Sequence, residues 1–345
     1  MSISHIFSLH QLGWRNFFQQ QLSLDELDNL LVGRVIEQHK SQYQVQTETD
    51  CISVPHRHNL PAITVGDWVL LDANSQIIRV LDRLTELSRK AAGSKVEKQL
   101  IAANVDTLFI VSSMNLDFSL NRIERYLSIA RQSGCEPVIV LTKADQADST
   151  IDYLEQVQAL DPMLVVESVN ALNSQTREQL LPWCKTGNTI AVMGSSGVGK
   201  STLINTLQGS DDLATGTIRE DDAKGRHTTT GRALFWLPDG GMIIDTPGLR
   251  ELQIADCESG VSQAFGDISQ LAEACRFGDC QHQTEPGCRV LQAVQSGELT
   301  PRRLENFRKL VKEQARNAQS LAQSRQNDKQ LSKLIRTTIN DKQKR

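Results

Sequence analysis

Residues Thr189 to Thr202 read TIAVMGSSGVGKST, and the rest of the chain is arranged around them. The apolar run Ile190 to Met193 predicts a strand that ends on Gly194, and Lys200 and Ser201 open a helix. Gly194, Gly199, Lys200 and Ser201 complete the pattern G-x-x-x-x-G-K-[ST] of a phosphate loop. The intervening Ser195, Ser196, Gly197 and Val198 offer backbone N–H groups to phosphate oxygens at the positive end of that helix, which Thr202 continues. Lys200 adds a point charge for β- and γ-phosphates, and the Ser201 hydroxyl is placed to hold Mg²⁺. A bare strand-to-helix turn would not unite strand, spacing and helix in this way.

The chain has 345 residues, 39% hydrophobic and 23% charged, which fits a soluble protein of two or three domains. No apolar run approaches the ~20 residues of a membrane span, and MSISHIFSLHQLGW does not have the build of a signal peptide. A cytoplasmic location without membrane contact is expected. Of seven cysteines, Cys51, Cys135, Cys184 and Cys257 stand apart while Cys275, Cys280 and Cys288 cluster, which suits a reducing compartment and one metal site. The net charge of −4 conceals a basic C-terminus: Pro301 to Arg345 holds 13 Lys/Arg against 4 Asp/Glu. A basic tail on an acidic body points to a polyanionic partner, beside the plainer reading of a solvated helix.

Residues 1–29 form an N-terminal extension with one short helix expected over Ser23 to Leu31. From residue 30 to 90, five β-prone runs (VGRVIEQ, YQVQTET, CISVP, DWVLLD, QIIRVLD) predict a small barrel of the oligonucleotide-binding (OB) kind. With 7 Lys/Arg and 7 Asp/Glu between Leu30 and Lys90, this barrel is not visibly basic. A polar linker (Arg89 to Lys98) leads into alternating strands and helices: VDTLFIVSSM, Leu120 to Gln132, PVIVLTKAD, Ile151 to Leu160, MLVVESV and Thr176 to Cys184. That alternation predicts a doubly wound parallel sheet over residues 91–255, with ligands at the carboxyl ends of its strands.

Two further stretches complete the expected site. MIIDTPG (Met242 to Gly248) is a strand ending 44 positions after Ser201; Asp245 can face Mg²⁺ through water and the Gly248 N–H can meet the γ-phosphate. Between loop and strand, the polar Gly209 to Gly231 (with GRHTTTG) has the composition of a switch segment. Among Thr228, Thr229 and Thr230, Thr229 is favoured as the second Mg²⁺ ligand. Upstream, Thr142-Lys143-Ala144-Asp145 ends a strand. The Asp145 carboxylate can accept from guanine N1–H and the 2-amino group, donors that adenine lacks. Lys143 can lay its stem along the base. The base-reading element thus precedes the phosphate loop, the reverse of the usual GTPase order, as if old termini had been joined and a loop opened.

The order TKAD, GSSGVGKST, GRHTTTG, DTPGL resembles the circularly permuted ribosome small-subunit-dependent GTPase A family (RsgA, also called YjeQ), from about residue 30 to the C-terminal helix. The resemblance implies a multidomain α/β protein: an OB-like β-barrel, a circularly permuted P-loop GTPase domain and a C-terminal α-helical zinc-binding domain (residues 256–345). It also implies GTP hydrolysis to GDP and phosphate, stimulated by the small ribosomal subunit during its late maturation, with rRNA as part of the partner surface. Two positions depart from the family pattern. Val169 to Ser174 (VNALNS) stands where V-S-A-x-T-G is usual, with Asn170 and the Ala171 N–H left to meet the base. His56-Arg57-His58 stands near the place of a basic R-G-K-type loop.

Leu249 follows Gly248 where Ras-like enzymes place a water-orienting Gln, so intrinsic hydrolysis is expected to be slow. His227 is the orienting group that this chain offers, and the resemblance points to it too. Further on, Cys275, Cys280, His282 and Cys288 (C-x4-C-x-H-x5-C) make a closed tetrahedral set for one structural zinc, with no position for a catalytic water. Thr300-Pro301 starts a helix with Leu304, Phe307, Leu310 and Val311 as its apolar stripe. The expected whole is a monomeric GTPase whose hydrolysis releases it from the subunit. The rivals are an ATP-using phosphate-loop protein and a zinc/OB RNA-binding factor with vestigial hydrolysis.

Overall fold

All five β-prone runs between Leu31 and Val80 are strands: β1 (Leu31–Gln38), β2 (Gln42–Gln46), β3 (Cys51–Pro55), β4 (Trp68–Leu71) and β5 (Ile77–Val80). Every pair among them is antiparallel. The long β1 serves both halves of the barrel, its first residues pairing with β4 (Leu31↔Leu71) and its later ones with β2 (Gln38↔Tyr43). A register shift between Val35 and Glu37 bends it where it changes partner. Val35, Val45, Val54, Val69, Leu71 and Ile77 fill the interior, each contributing roughly 1.5–3 kcal/mol by leaving water.

The computed structural model describes residues 6–57, 60–90, 98–209, 232–245 and 257–316. They fall into two compact units, one within Met1–Ser88 and Leu100–Glu251, the other within Arg89–Gln99 and Leu252–Arg345. The expectations placed on His58, His227, Thr228, Thr229, Thr230, Gly248, Leu249 and the tail beyond residue 316 lie outside the described residues, as does the side chain of Asp245.

On either side of the expected polar linker, β6 (Glu86–Lys90) and β7 (Lys98–Ala103) pair as a two-stranded sheet. The G-domain elements then follow: β8 (Thr107–Ser113), α3 (Leu120–Ser133), β9 (Glu136–Thr142), α4 (Thr150–Gln158), β10 (Val165–Ser168), α5 (Gln175–Leu180), β11 (Thr189–Gly194), α6 (Lys200–Gln208), β12 (Arg232–Trp236) and β13 (Met242–Asp245). Here α1 (Asn16–Gln19) and α2 (Leu24–Asn29) are the helices of the N-terminal extension. The strands run in the order β10-β9-β8-β11-β13-β12. All neighbours are parallel except the β12–β13 hairpin. Strands β8 and β11 are buried at every residue, which is why they read as unbroken apolar runs without alternation.

The sheet does not stop at the domain border. β12 pairs antiparallel with β1, so G domain and barrel share one continuous path of backbone hydrogen bonds. Residues 6–29, in which the sequence showed only one helix, cover this join. Trp14 packs edge-on against Trp68 of the barrel with ring centroids 4.8 Å apart, and Phe7 stacks on Trp236 of β12 at 4.8 Å. Beneath them Arg34 is 1% exposed. Its guanidinium donates to the carbonyls of Leu12 (2.6 Å), Asn104 (3.1 Å) and Gly66 (3.4 Å). Burial pushes its pKa down to about 10, and these carbonyls satisfy the cation where water cannot.

In the second unit, α7 (Glu258–Ala264), α8 (Gly266–Glu273) and α9 (Arg289–Ser296) are followed by a helix over residues 301–316. Arg303 joins them: its guanidinium makes a two-pronged bond to Asp267 (2.7 and 2.8 Å) and lies 4.8 Å over the Phe265 ring. Among the described residues no helix is long and apolar enough to cross a membrane.

Candidate nucleotide site and metal centre

The phosphate loop leaves β11 at Gly194, where a Cβ would stand 2.3 Å from the Val111 carbonyl oxygen. Only glycine allows β8 and the loop to approach so closely. Gly199 has φ +95°, a left-handed turn that sets up α6. The loop curls over the Lys200 ammonium: Lys200 Nζ donates to the Gly194 carbonyl at 2.9 Å and to the Ser195 carbonyl. An ammonium at a helix N-terminus adds to the positive field that the helix end offers to phosphate oxygens. Ser195 also lies 3.4 Å from the Tyr126 hydroxyl of α3, a neighbour that no motif indicated.

The residues Thr142 to Asp145 stand at the same end of the sheet. β9 runs beside β8, which runs beside β11, so the end of β9 lies two strands from the loop. The buried Thr142 hydroxyl closes the gap, donating to the Val198 carbonyl at 2.6 Å. Lys143 then adopts a left-handed φ of +61°. That conformation costs a non-glycine residue roughly 1–2 kcal/mol, and strain of this kind gathers at sites of function. It turns the chain so that Ala144 and Asp145 enter a short 3-10 turn (Ala144–Gln146), leaving Asp145 exposed.

The divergent segment Val169 to Ser174 lies between the turn at Ala144 and helix α6. Ala144 N donates to the Val169 carbonyl (3.2 Å), and Thr206 of α6 donates to the Ala171 carbonyl at 2.5 Å. Asn170 caps its own turn through Oδ1 to the Leu172 N–H (3.0 Å), while its carbonyl accepts from Thr176 (2.7 Å). Where the usual motif has its serine and glycine, this chain has Asn170 and Ser174, and Asn170 closes an Asn-centred turn. β13 delivers the backbone of Asp245 next to β11, with Ala191 opposite Ile244.

Cys275, Cys280, His282 and Cys288 bring their four ligand atoms within 4.8 Å of one another. The sulfurs of Cys275 and Cys288 are 3.8 Å apart, and His282 Nδ1 lies 3.7 and 3.5 Å from them. A tetrahedron with metal–sulfur bonds of about 2.3 Å and metal–nitrogen bonds of about 2.05 Å has edges of about 3.8 and 3.6 Å. The cluster therefore has the dimensions of a closed metal site, and its sulfurs are too far apart for a disulfide. The turn carrying His282, itself at φ +56°, is held by Glu285. That carboxylate accepts from the N–H groups of Gln281 (2.8 Å), Gln283 (2.7 Å) and Thr284 (3.0 Å). With its own N–H, these hold its pKa down to about 2. This support lay between the ligands and carried no spacing signal of its own.

Comparison with known proteins gives the lineage. The family model described as RsgA GTPase matches residues 80–255. An ABC transporter model also matches, over residues 183–338, a span that contains the phosphate loop but not Thr142 to Asp145. Small ribosomal subunit biogenesis GTPase RsgA 2 of Vibrio parahaemolyticus is 56% identical over 98% of this chain and 94% of its own length. The protein of that name from Vibrio vulnificus is 55% identical over 100% and 99%. The crystal structure of YjeQ from Thermotoga maritima superimposes with a TM-score of 0.61 at 28% identity, covering 82% of this chain and 98% of that one. YloQ, described as a circularly permuted GTPase, shares the fold with a TM-score of 0.60 at 24% identity, covering 82% and 94%. With the permuted motif order and this site geometry, the chain belongs to the RsgA GTPase family.

Proposed function

We propose that this protein hydrolyses GTP in the biogenesis of the small ribosomal subunit and leaves the subunit when hydrolysis is complete. The observation that carries the reading is the bond from Thr142 to Val198, which ties a guanine-reading motif to a phosphate loop in a chain with permuted order. The names of the Vibrio relatives supply the pathway. Within this reading Lys200 stabilises charge on the transferred phosphoryl group, the Gly194–Ser201 N–H groups hold the phosphates, and Asp145 selects guanine. Ser201 and Thr229 would hold Mg²⁺, with Asp245 reaching it through water; the ion would neutralise charge between the β- and γ-phosphates. Gly248 meets the γ-phosphate, and His227 orients the attacking water once the subunit is bound.

Zinc is the metal that suits three thiolates and one imidazole with no open position, and it would serve the fold of the C-terminal unit. The division into residues 1–29, 30–90, 91–255 and 256–345, a monomeric state, a cytoplasmic location and rRNA contact through the basic C-terminus belong to the same reading. Co-sedimentation tests it. The chain should travel with small subunits in a non-hydrolysable GTP analogue and separate from them in GDP. Equal sedimentation in both nucleotides would refute the release step, and no sedimentation would refute the partner.

A further inference from the structure

The β12–β13 hairpin, which carries Asp245 at the end of β13, is pinned at its open end by the barrel. Arg232 opens β12 and lies opposite Gln38 of β1. Its Nη1 donates to Gln38 Oε1 at 3.0 Å and to the Leu100 carbonyl, with Thr64 Oγ1 at 3.4 Å. These acceptors are fixed in turn. Gln38 Nε2 donates to the Ile63 carbonyl at 3.3 Å, and the Thr64 hydroxyl to the Ile101 carbonyl at 3.0 Å. The Thr64 N–H donates to Asp67 at 2.8 Å, a fully buried carboxylate that Arg83 grips with two N–H groups at 2.7 and 2.9 Å. A planar guanidinium facing acceptors this well anchored has one position.

The next residue makes the connection to chemistry. Ala233 pairs with Glu37 of β1 on one side and with Asp245 of β13 on the other. Glu37, Ala233 and Asp245 therefore stand in one row across three adjacent strands, each step about 4.8 Å. Hydrogen-bonded ladders shear poorly, so a shift of the barrel at Glu37 and Gln38 reaches the Asp245 backbone with little loss. We propose that Arg232 is a positioning residue for GTP hydrolysis, locking β12 to the barrel so that Asp245 enters the nucleotide site at a fixed height. The inference rests on the GTPase reading above, and it makes the barrel part of the catalytic framework.

The test uses the full-length, metal-loaded protein with Arg232→Met, which keeps the stem and removes the donors, and Gln38→Leu, which removes one acceptor from the barrel side. Turnover of GTP with and without small subunits is measured beside the affinity for a fluorescent GDP analogue and the melting temperature. Arg232→Met should lower subunit-stimulated kcat on the order of ten- to a hundredfold, the effect of a sub-ångström to 1 Å misplacement. KM and GDP affinity should stay within about twofold. Gln38→Leu should give a smaller loss of the same kind, and the double variant should lose no more than Arg232→Met alone. Unchanged kcat in both variants overturns the proposal, as does a fall in kcat matched by equal losses in GDP affinity and melting temperature. A wild-type protein that subunits fail to stimulate would instead strike the GTPase reading.

Discussion

The Thr142 hydroxyl donates to the Val198 carbonyl at 2.6 Å, with the Ser112 carbonyl at 3.3 Å on its other side. Thr142 is fully buried. One side chain thus ties the end of β9 to the phosphate-loop motif across 56 positions of sequence, and so would set the distance between the residues proposed to read the base and those proposed to hold the phosphates.

Thr142→Val keeps the shape and removes the donor, leaving the Val198 carbonyl short of a partner. The penalty of about 1–3 kcal/mol should appear as GTP and GDP affinities weakened together by roughly five- to a hundredfold, because both nucleotides span base and phosphates. Fluorescent-nucleotide titration measures it. A selective loss of kcat with intact affinity would contradict this role.

Asp145→Asn reverses the hydrogen-bonding sense of one carboxylate oxygen. Guanine N1–H then meets an amide donor, while xanthine presents a carbonyl at the 2-position that the amide can serve. The variant should lose preference for GTP and hydrolyse xanthosine triphosphate, by orders of magnitude in kcat/KM ratio. Retained GTP preference would place base selection elsewhere.

Thiol reactivity separates the cysteines by environment. Cys51 is exposed, whereas Cys135 and Cys184 are buried and their thiols are pushed up to about 11 and 12. Only thiolates alkylate readily. The metal-loaded protein should therefore label at Cys51 alone on a short time scale. A chelator should add Cys275, Cys280 and Cys288 and lower the melting temperature of the C-terminal unit. Mass spectrometry of the labelled peptides reads the order, and three freely reactive cluster thiols before chelation would argue against bound metal.

The same two buried thiols give alkaline lability. Their ordinary value is 9.0, so between pH 9 and 11 the unfolded chain sheds protons that the folded chain keeps. The stability they contribute is complete below pH 9 and falls as pH rises, by at most about 1.4 kcal/mol per pH unit for each thiol. Denaturant midpoints measured from pH 8 to 10.5 should decline less steeply in Cys184→Ala than in the wild type. Identical slopes would show that the thiol is not a source of the decline.

The sequence reveals what depends on short spacing. The phosphate loop, TKAD, the five barrel strands and the Cys/His cluster each reside in a few consecutive residues whose period or motif has one physical meaning. The α2 helix was legible because Ser23 and Glu26 form a capping box. What escaped depends on distant partners. Leu12, Trp14 and Phe18 follow no period, because they pack singly against Trp68 rather than along an element. The β1–β12 pairing joins residues almost two hundred positions apart, and nothing local in GRALFW or VGRVIEQ encodes it. Nothing local marks Arg34 or Arg232 as anchors for the same reason, and the three N–H partners of Glu285 meet it only in the folded turn.

Phosphate release from GTP, measured with and without purified subunits, tests whether this protein is a GTPase switched by the small ribosomal subunit. The protein alone should turn over slowly, since Leu249 cannot orient water. Subunits should raise kcat by orders of magnitude for the wild type and leave His227→Ala unstimulated with unchanged GTP affinity. ATP turned over as readily as GTP, or a wild-type rate indifferent to subunits, would contradict the account.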